Sequence, residues 1–146
     1  MIPIREYTDY GDKLISPKTA LAAAEAGFET YCPECFIRSE GDTDAQLLDS
    51  YSGLIGEGWE FVCFRPTQSF LQKWFRDELS LNIFVGFRPN VKKWDSHFYS
   101  QKLSGKEYVK EQTMKKYLSQ TTFDSYEEAL EDGLLRAAKH IKDKKE

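Results

Sequence analysis

Between Pro66 and Phe87 two periods of apolar residues follow each other directly. Phe70, Leu71, Trp74, Phe75 and Leu79 recur at three- and four-residue spacing, the stripe of an amphipathic helix opened by Pro66-Thr67. Leu81, Ile83, Val85 and Phe87 then fall on every second residue, as the inward face of a half-buried strand does. Two more helices are bounded by local chemistry. Ser16-Pro17 begins one, with Ser as N-cap and Pro where a missing N–H costs nothing; the Ala20–Ala26 run sustains it and Gly27 ends it. Ser125-Tyr126-Glu127-Glu128 reads as a capping box before an apolar stripe of Tyr126, Leu130, Leu134, Ala137 and Ile141. In that last helix Asp132 and Arg136 stand one turn apart as a surface pair, and Lys139 and Lys142 gather at its negative end.

The remaining pattern is weaker. Phe28 to Arg38 contains a short strand, Trp59 to Phe64 alternates loosely as another, and Arg88-Pro89-Asn90 is turn chemistry leading to a returning strand from Ser96 to Leu103. Residues 1–15 read as an irregular arm. Residues 39–58 read as a long acidic, glycine-rich loop, a helical turn at 44–51 being the alternative for that piece. Residues 104–122 are equally compatible with strand and helix. The whole predicts one α+β domain over 1–146, in the order α-β-β-α-β-β-α. Its small, mainly antiparallel sheet is covered by the central and C-terminal helices, with Leu81, Ile83, Val85 and Phe87 facing Trp74, Phe75 and Leu134.

Composition agrees with a self-sufficient core. Of 146 residues, 40% are hydrophobic, 14% aromatic and 30% charged, so neither a disulfide nor a metal is needed to hold the chain together. No apolar run approaches the ~18 residues that cross a bilayer, and the first residues lack an apolar signal region. The three cysteines, an odd number without secretory context, imply free thiols in a reducing compartment. The expectation is a cytoplasmic protein without membrane contact. Charge is uneven. Residues 1–60 hold 12 acids and 4 bases (−8), whereas residues 88–118 hold 8 bases and 3 acids (+5), within a net charge of −4.

Candidate chemistry is sparse. Cys32-Pro33-Glu34-Cys35 has the spacing of half a zinc site or a redox dithiol. Only Cys63, His97 and His140 remain as further Cys or His, none at ligand spacing, and Phe36-Ile37-Arg38 after the motif reads as strand rather than as the helix that activates a thiol. Two small apolar side chains near a strand is the better reading. Gly53-Leu54-Ile55-Gly56-Glu57-Gly58 leads into a strand, lacks the lysine and hydroxyl of a phosphate loop and carries a repelling Glu57. Neither histidine lies in a catalytic motif, so no catalytic residue, cofactor or metal is assigned. The segment 88–116 interleaves Arg88, Lys92, Lys93, Trp94 and His97 with Phe98 and Tyr99, a mixture that can hold single strands by phosphate contact and stacking. Arg88, Lys92, Lys93, Trp94 and His97 are therefore the candidate surface-binding residues. Trp74, on the apolar face of its helix, is expected in the core.

Three stretches carry a resemblance. Pro66-Thr67-Gln68-Ser69 followed by Gln72-Lys73-Trp74-Phe75-Arg76, the Tyr126–Leu134 stretch YEEALEDGL, and the first helix ending in Gly27-Phe28 are similar to an uncharacterised family of small prophage- or mobile-element-associated proteins of gut anaerobic bacteria, with its PTQS…QKWLR and YEEALEAGL signatures. The resemblance implies an accessory, phage-like origin and assigns no activity. Three functions follow in order. The first is a non-catalytic accessory module that binds a protein partner, a second copy of the chain included. Nucleic-acid binding through residues 88–116 is the second, and a metal or thiol protein using Cys32, Cys35 and Cys63 the third.

Overall fold

The computed structural model describes residues 12–102 and 121–145, with the side chains of 12–102 and 121–144. The described chain is an α+β fold with three helices and five strands. Their order is α1 (Pro17–Glu25), β1 (Glu34–Ser39), β2 (Leu48–Tyr51), β3 (Trp59–Phe64), α2 (Gln68–Leu79), β4 (Leu81–Arg88), β5 (Lys93–Ser100) and α3 (Tyr126–Lys145). The strands form two antiparallel sheets, β2-β1-β3 and the hairpin β4-β5. Where one sheet was expected, two stand around a shared core.

Local signals set the helix ends as the sequence predicts. Ser16 accepts from Thr19 N–H, Gly27 turns left-handed at φ 109°, Thr67 accepts from Phe70 N–H, and Ser125 accepts from Glu128 N–H. Ser80, left-handed at φ 53°, is the single residue between α2 and β4. The Asp132–Arg136 pair forms at 2.8 Å. Of the N-terminal arm, residues 12–15 run beside 65–68, tied by the Leu14–Thr67 bridge and by the bond from Ile15 N–H to Pro66 O. Residues 1–11, and residues 103–120 of the segment between β5 and Phe123, lie outside the described residues.

Three strand expectations are corrected. Part of the 39–58 loop, including part of the piece with a helical turn as its alternative, is β2, which pairs along β1 from Tyr51↔Glu34 to Leu48↔Ile37. Four residues carry no period of their own; the neighbouring strand imposes the extended state. The returning strand begins at Lys93, not Ser96, because only Pro89 to Lys92 are spent on the turn and Arg88 pairs with Lys93. Leu81 and Ile83 are buried and Val85 packs on the core, but Phe87 is exposed, edge-on to its cross-strand partner Trp94 at 4.9 Å. The alternation is as expected, yet the helices cover only the first part of the strand.

Leu71 and Phe75 of α2, Leu130, Leu134, Ala137 and Ala138 of α3, Ile83 and Phe98 of the hairpin, and Phe36 and Cys63 of the larger sheet form one cluster. Trp74 is partly buried against it, edge-on to Phe28 at 5.2 Å and to Phe75 at 5.2 Å, in agreement with its core assignment. Helix α3 approaches the hairpin closely at Gly133. A Cβ there would stand 2.9 Å from Ser96 Oγ, 3.0 Å from Ser96 Cβ and 3.1 Å from Ile83 Cγ2. Alanine would gain ~1 kcal/mol of helix propensity, but displacing this contact costs ~1–3 kcal/mol. Gly133→Ala is therefore expected to lower the unfolding midpoint in a thermal melt; a rise would show that the helix can shift outward freely.

Candidate functional site

The residues singled out by sequence sit on and around the hairpin. Pairing places Asn82, Phe84, Gly86 and Arg88 of β4 beside Tyr99, His97, Asp95 and Lys93 of β5 on one face, while Ser96 and Phe98 on the other face meet α3. Asp95 is buried and ion-paired with Arg88, and its other oxygen lies 3.3 Å from His97 Nε2. Gly86 leaves room for that carboxylate, since a Cβ would stand 3.3 Å from Asp95 Oδ1. Lys93 pairs with Asp124. Trp94 is held between Phe87 and the Tyr126 ring at 5.7 Å, with its backbone bonded both ways to Phe123.

Of the five candidates, Arg88 and Lys93 are thus neutralised by acids, Trp94 is packed among rings, and His97 lies against Phe84 at 5.0 Å. Burial, the largest influence, holds the His97 imidazole below its ordinary range; Asp95 opposes this while Arg136 and Arg88 reinforce it. A neutral imidazole with a buried, unbonded Nδ1 does not add positive charge to the hairpin. Lys92 occupies the turn in the left-handed region at φ 55°.

The cysteines are dispersed by the register. Cys35 pairs with Phe64 and Cys63 with Phe36, which sets the two thiols on opposite faces of the sheet. All three are buried, and burial pushes Cys32 up to about 12 and Cys63 up to about 11 and raises Cys35 as well. Protonated thiols of this kind are poor nucleophiles and poor ligands. Among the described residues no group of three or more His, Cys, Asp or Glu is placed to hold a metal ion.

The surface that sequence reasoning missed belongs to the larger sheet. Phe36 pairs with Cys63 but Ile37 pairs with Phe61, so Val62 is an inserted residue. Strict alternation would put Phe61 on the same side as Cys63. The bulge instead turns Trp59 and Phe61 to the face of Ile37 and Phe64, opposite Phe36 and Cys63; Phe64 still packs on the core, whereas Trp59 and Phe61 are exposed. Tyr31, Phe64 and Phe61 then touch in line, at 5.6 Å and 4.8 Å between rings. Across the strands Leu48, Ile37 and Phe61 form one apolar row. Yet Tyr31 remains 66% exposed, Leu48 45%, Phe61 43% and Trp59 39%, and Leu54 in the next turn is 74% exposed. The loose alternation of Trp59–Phe64 was the available signal.

A second cluster joins the start of α2 to the first turns of α3. Gln68, buried at the first turn of α2, donates through Nε2 to Glu127 O at 2.9 Å and to Glu131 Oε1 at 3.0 Å. Glu131 Oε2 accepts from Ser16 N–H at 3.1 Å and lies 3.0 Å from Ser16 Oγ. One carboxylate thus faces the N-termini of α1 and α2 together, where both helix dipoles are positive. Gln72 Nε2 bonds to Ile83 O at 2.7 Å, and Gly133 gives α3 its close approach to the hairpin. These contacts are architectural.

No family model matches this chain, and no curated protein or solved structure is significantly similar to it. Among the described residues no helix is long and apolar enough to cross a membrane.

Proposed function

We propose that the protein is a non-catalytic accessory module of the cytoplasm, of phage or mobile-element origin, that binds a protein partner through the outer side of the β2-β1-β3 sheet. One observation carries this reading: large apolar side chains are turned outward and clustered while the core is complete without them. Contiguous exposed apolar surface of this kind marks association sites, and aromatic residues supply much of the binding energy there. The alternatives are less well supported. Nucleic-acid binding needs unpaired bases and free ring faces on the hairpin, where Arg88, Lys93 and Trp94 are engaged. Thiol or metal chemistry needs accessible, ionised cysteines.

Capture from native cells by the wild-type chain, by Tyr31→Ser/Phe61→Ser and by Lys92→Glu tests the assignment. The partner is expected to be lost from the double variant and retained by Lys92→Glu. Loss from Lys92→Glu alone would move the site to the hairpin and overturn the proposal.

A further inference from the structure

Among the described residues strand β2 is a sheet edge, and its chemistry is selective. The order of the described strands leaves one side of β2 unpaired. Ser52 N–H donates to Pro33 O, so in the alternating antiparallel pattern Ser50 and Leu48 turn their backbone groups toward β1 while Asp49 and Tyr51 turn theirs outward. The Tyr51 carbonyl is taken by Leu54 N–H. Asp49 N–H, Asp49 C=O and Tyr51 N–H are left facing outward without a backbone partner among the described residues.

Sheet edges are normally guarded by shortness, by charge (lysine above all), by proline, by a bulge or by a covering segment. Strand β2 is four residues long and carries one acid, Asp49, but it has neither lysine nor proline, and the bulge lies in β3. From Ser39 to Gly58 the chain carries Glu40, Asp42, Asp44, Asp49 and Glu57 and no base; Asp49 is paired with Arg65 at 3.0 Å, so the negative charge at this flank comes from Glu40, Asp42, Asp44 and Glu57. A strand arriving at this edge meets a negative field on its flank. On the sheet's outer side it also meets Leu48, the near end of the row Leu48–Ile37–Phe61.

Resting on the interaction reading above, we infer that the partner docks as an extended segment alternating basic and apolar residues, which adds a fourth strand beside β2. Its backbone would bond with Asp49 and Tyr51. Its apolar side chains would lengthen the Leu48–Ile37–Phe61 row, and its basic ones would project to the other face, where the exposed Asp49 carboxylate is shared with Arg65. Main-chain bonds supply affinity in such strand addition and alternate side chains supply specificity. The acids favour a basic segment and speed its encounter. They also oppose pairing with the β2 edge of a second copy, which would bring like charges together.

The test uses the full chain and a short synthetic peptide alternating lysine and valine, followed by amide exchange and chemical-shift titration. Binding is expected to slow exchange at Asp49 and Tyr51. It should weaken about tenfold on raising salt from low to several-fold physiological ionic strength. It should weaken similarly in the exposed-loop variant Asp44→Lys/Glu57→Lys, and disappear when the peptide's edge amides are N-methylated. Equal binding of a glutamate–valine peptide, binding that survives N-methylation, or absence of binding at low salt would overturn the inference. The two readings separate cleanly. If Tyr31→Ser/Phe61→Ser abolishes capture of the native partner while that partner leaves Asp49 and Tyr51 unprotected, the aromatic face stands and the strand addition fails.

Discussion

Phe98→Ala is expected to lower stability by ~3–5 kcal/mol, the cost of emptying a fully packed aromatic site. Phe98 is completely buried on the helix-facing side of β5, where the Arg136 guanidinium lies 5.6 Å over its ring and the His140 ring lies 5.5 Å away. Removing it undoes more than one contact. Arg136 also bonds Ser96 O at 2.9 Å and Ser96 Oγ at 2.8 Å while paired with Asp132, so the guanidinium is held partly by the ring beneath it. For a domain of this size each kcal/mol moves the midpoint by ~2–4 °C. A fall of ~6–20 °C is therefore expected in a thermal melt. A shift below the scatter of surface variants would mean that α3 does not depend on β5 for its seat.

The second large effect is expected at Glu131. Its carboxylate takes bonds from Ser16 N–H and Gln68 Nε2 and stands against the Ser16 hydroxyl, which links α3 to the starts of both other helices. Glu131→Ala leaves these donors without an acceptor in a partly buried setting. Bonds to a charged group contribute ~1.5–3 kcal/mol each, and stranded donors carry their own penalty. With partial access of water, a loss of ~2–4 kcal/mol is expected. The double-mutant cycle with Gln68→Ala isolates the pair. The two substitutions together should cost clearly less than the sum of the single ones, because one partner's removal already forfeits the bond. Additive losses would show that the two side chains act independently.

What was legible in the sequence was local. Ser16-Pro17 with Gly27, Thr67, and Ser125 with Glu128 mark helix ends through bonds made within a few residues, and all stand where the sequence places them. Strand β4 was legible because eight residues are long enough to display a period of two. Strand β2 was not, since its extended state comes from pairing with β1, and the bulge at Val62 broke the period of β3. For the site the limit was tertiary. Arg88 and Lys93 looked available until Asp95 and Asp124 were brought beside them. Trp59 and Phe61 are surface only because of the side to which the bulge turns them, a shift that the residue pattern of one strand does not display. Gln68 and Glu131 lie 63 residues apart, and neither shows in sequence that it waits for the other.

These assignments divide the molecule in two. Gln68, Glu131 and Gly133 serve the scaffold, and the outward side chains of the β2-β1-β3 sheet form the surface proposed to meet a partner. Site-specific photo-crosslinking in native cells tests that division most directly. A photoreactive phenylalanine analogue is placed at position 61 on the sheet's outer side or at position 91 in the exposed hairpin turn. The account predicts a discrete protein adduct from position 61 and none from position 91. An adduct formed only from position 91, or a nucleic-acid adduct there, would contradict it.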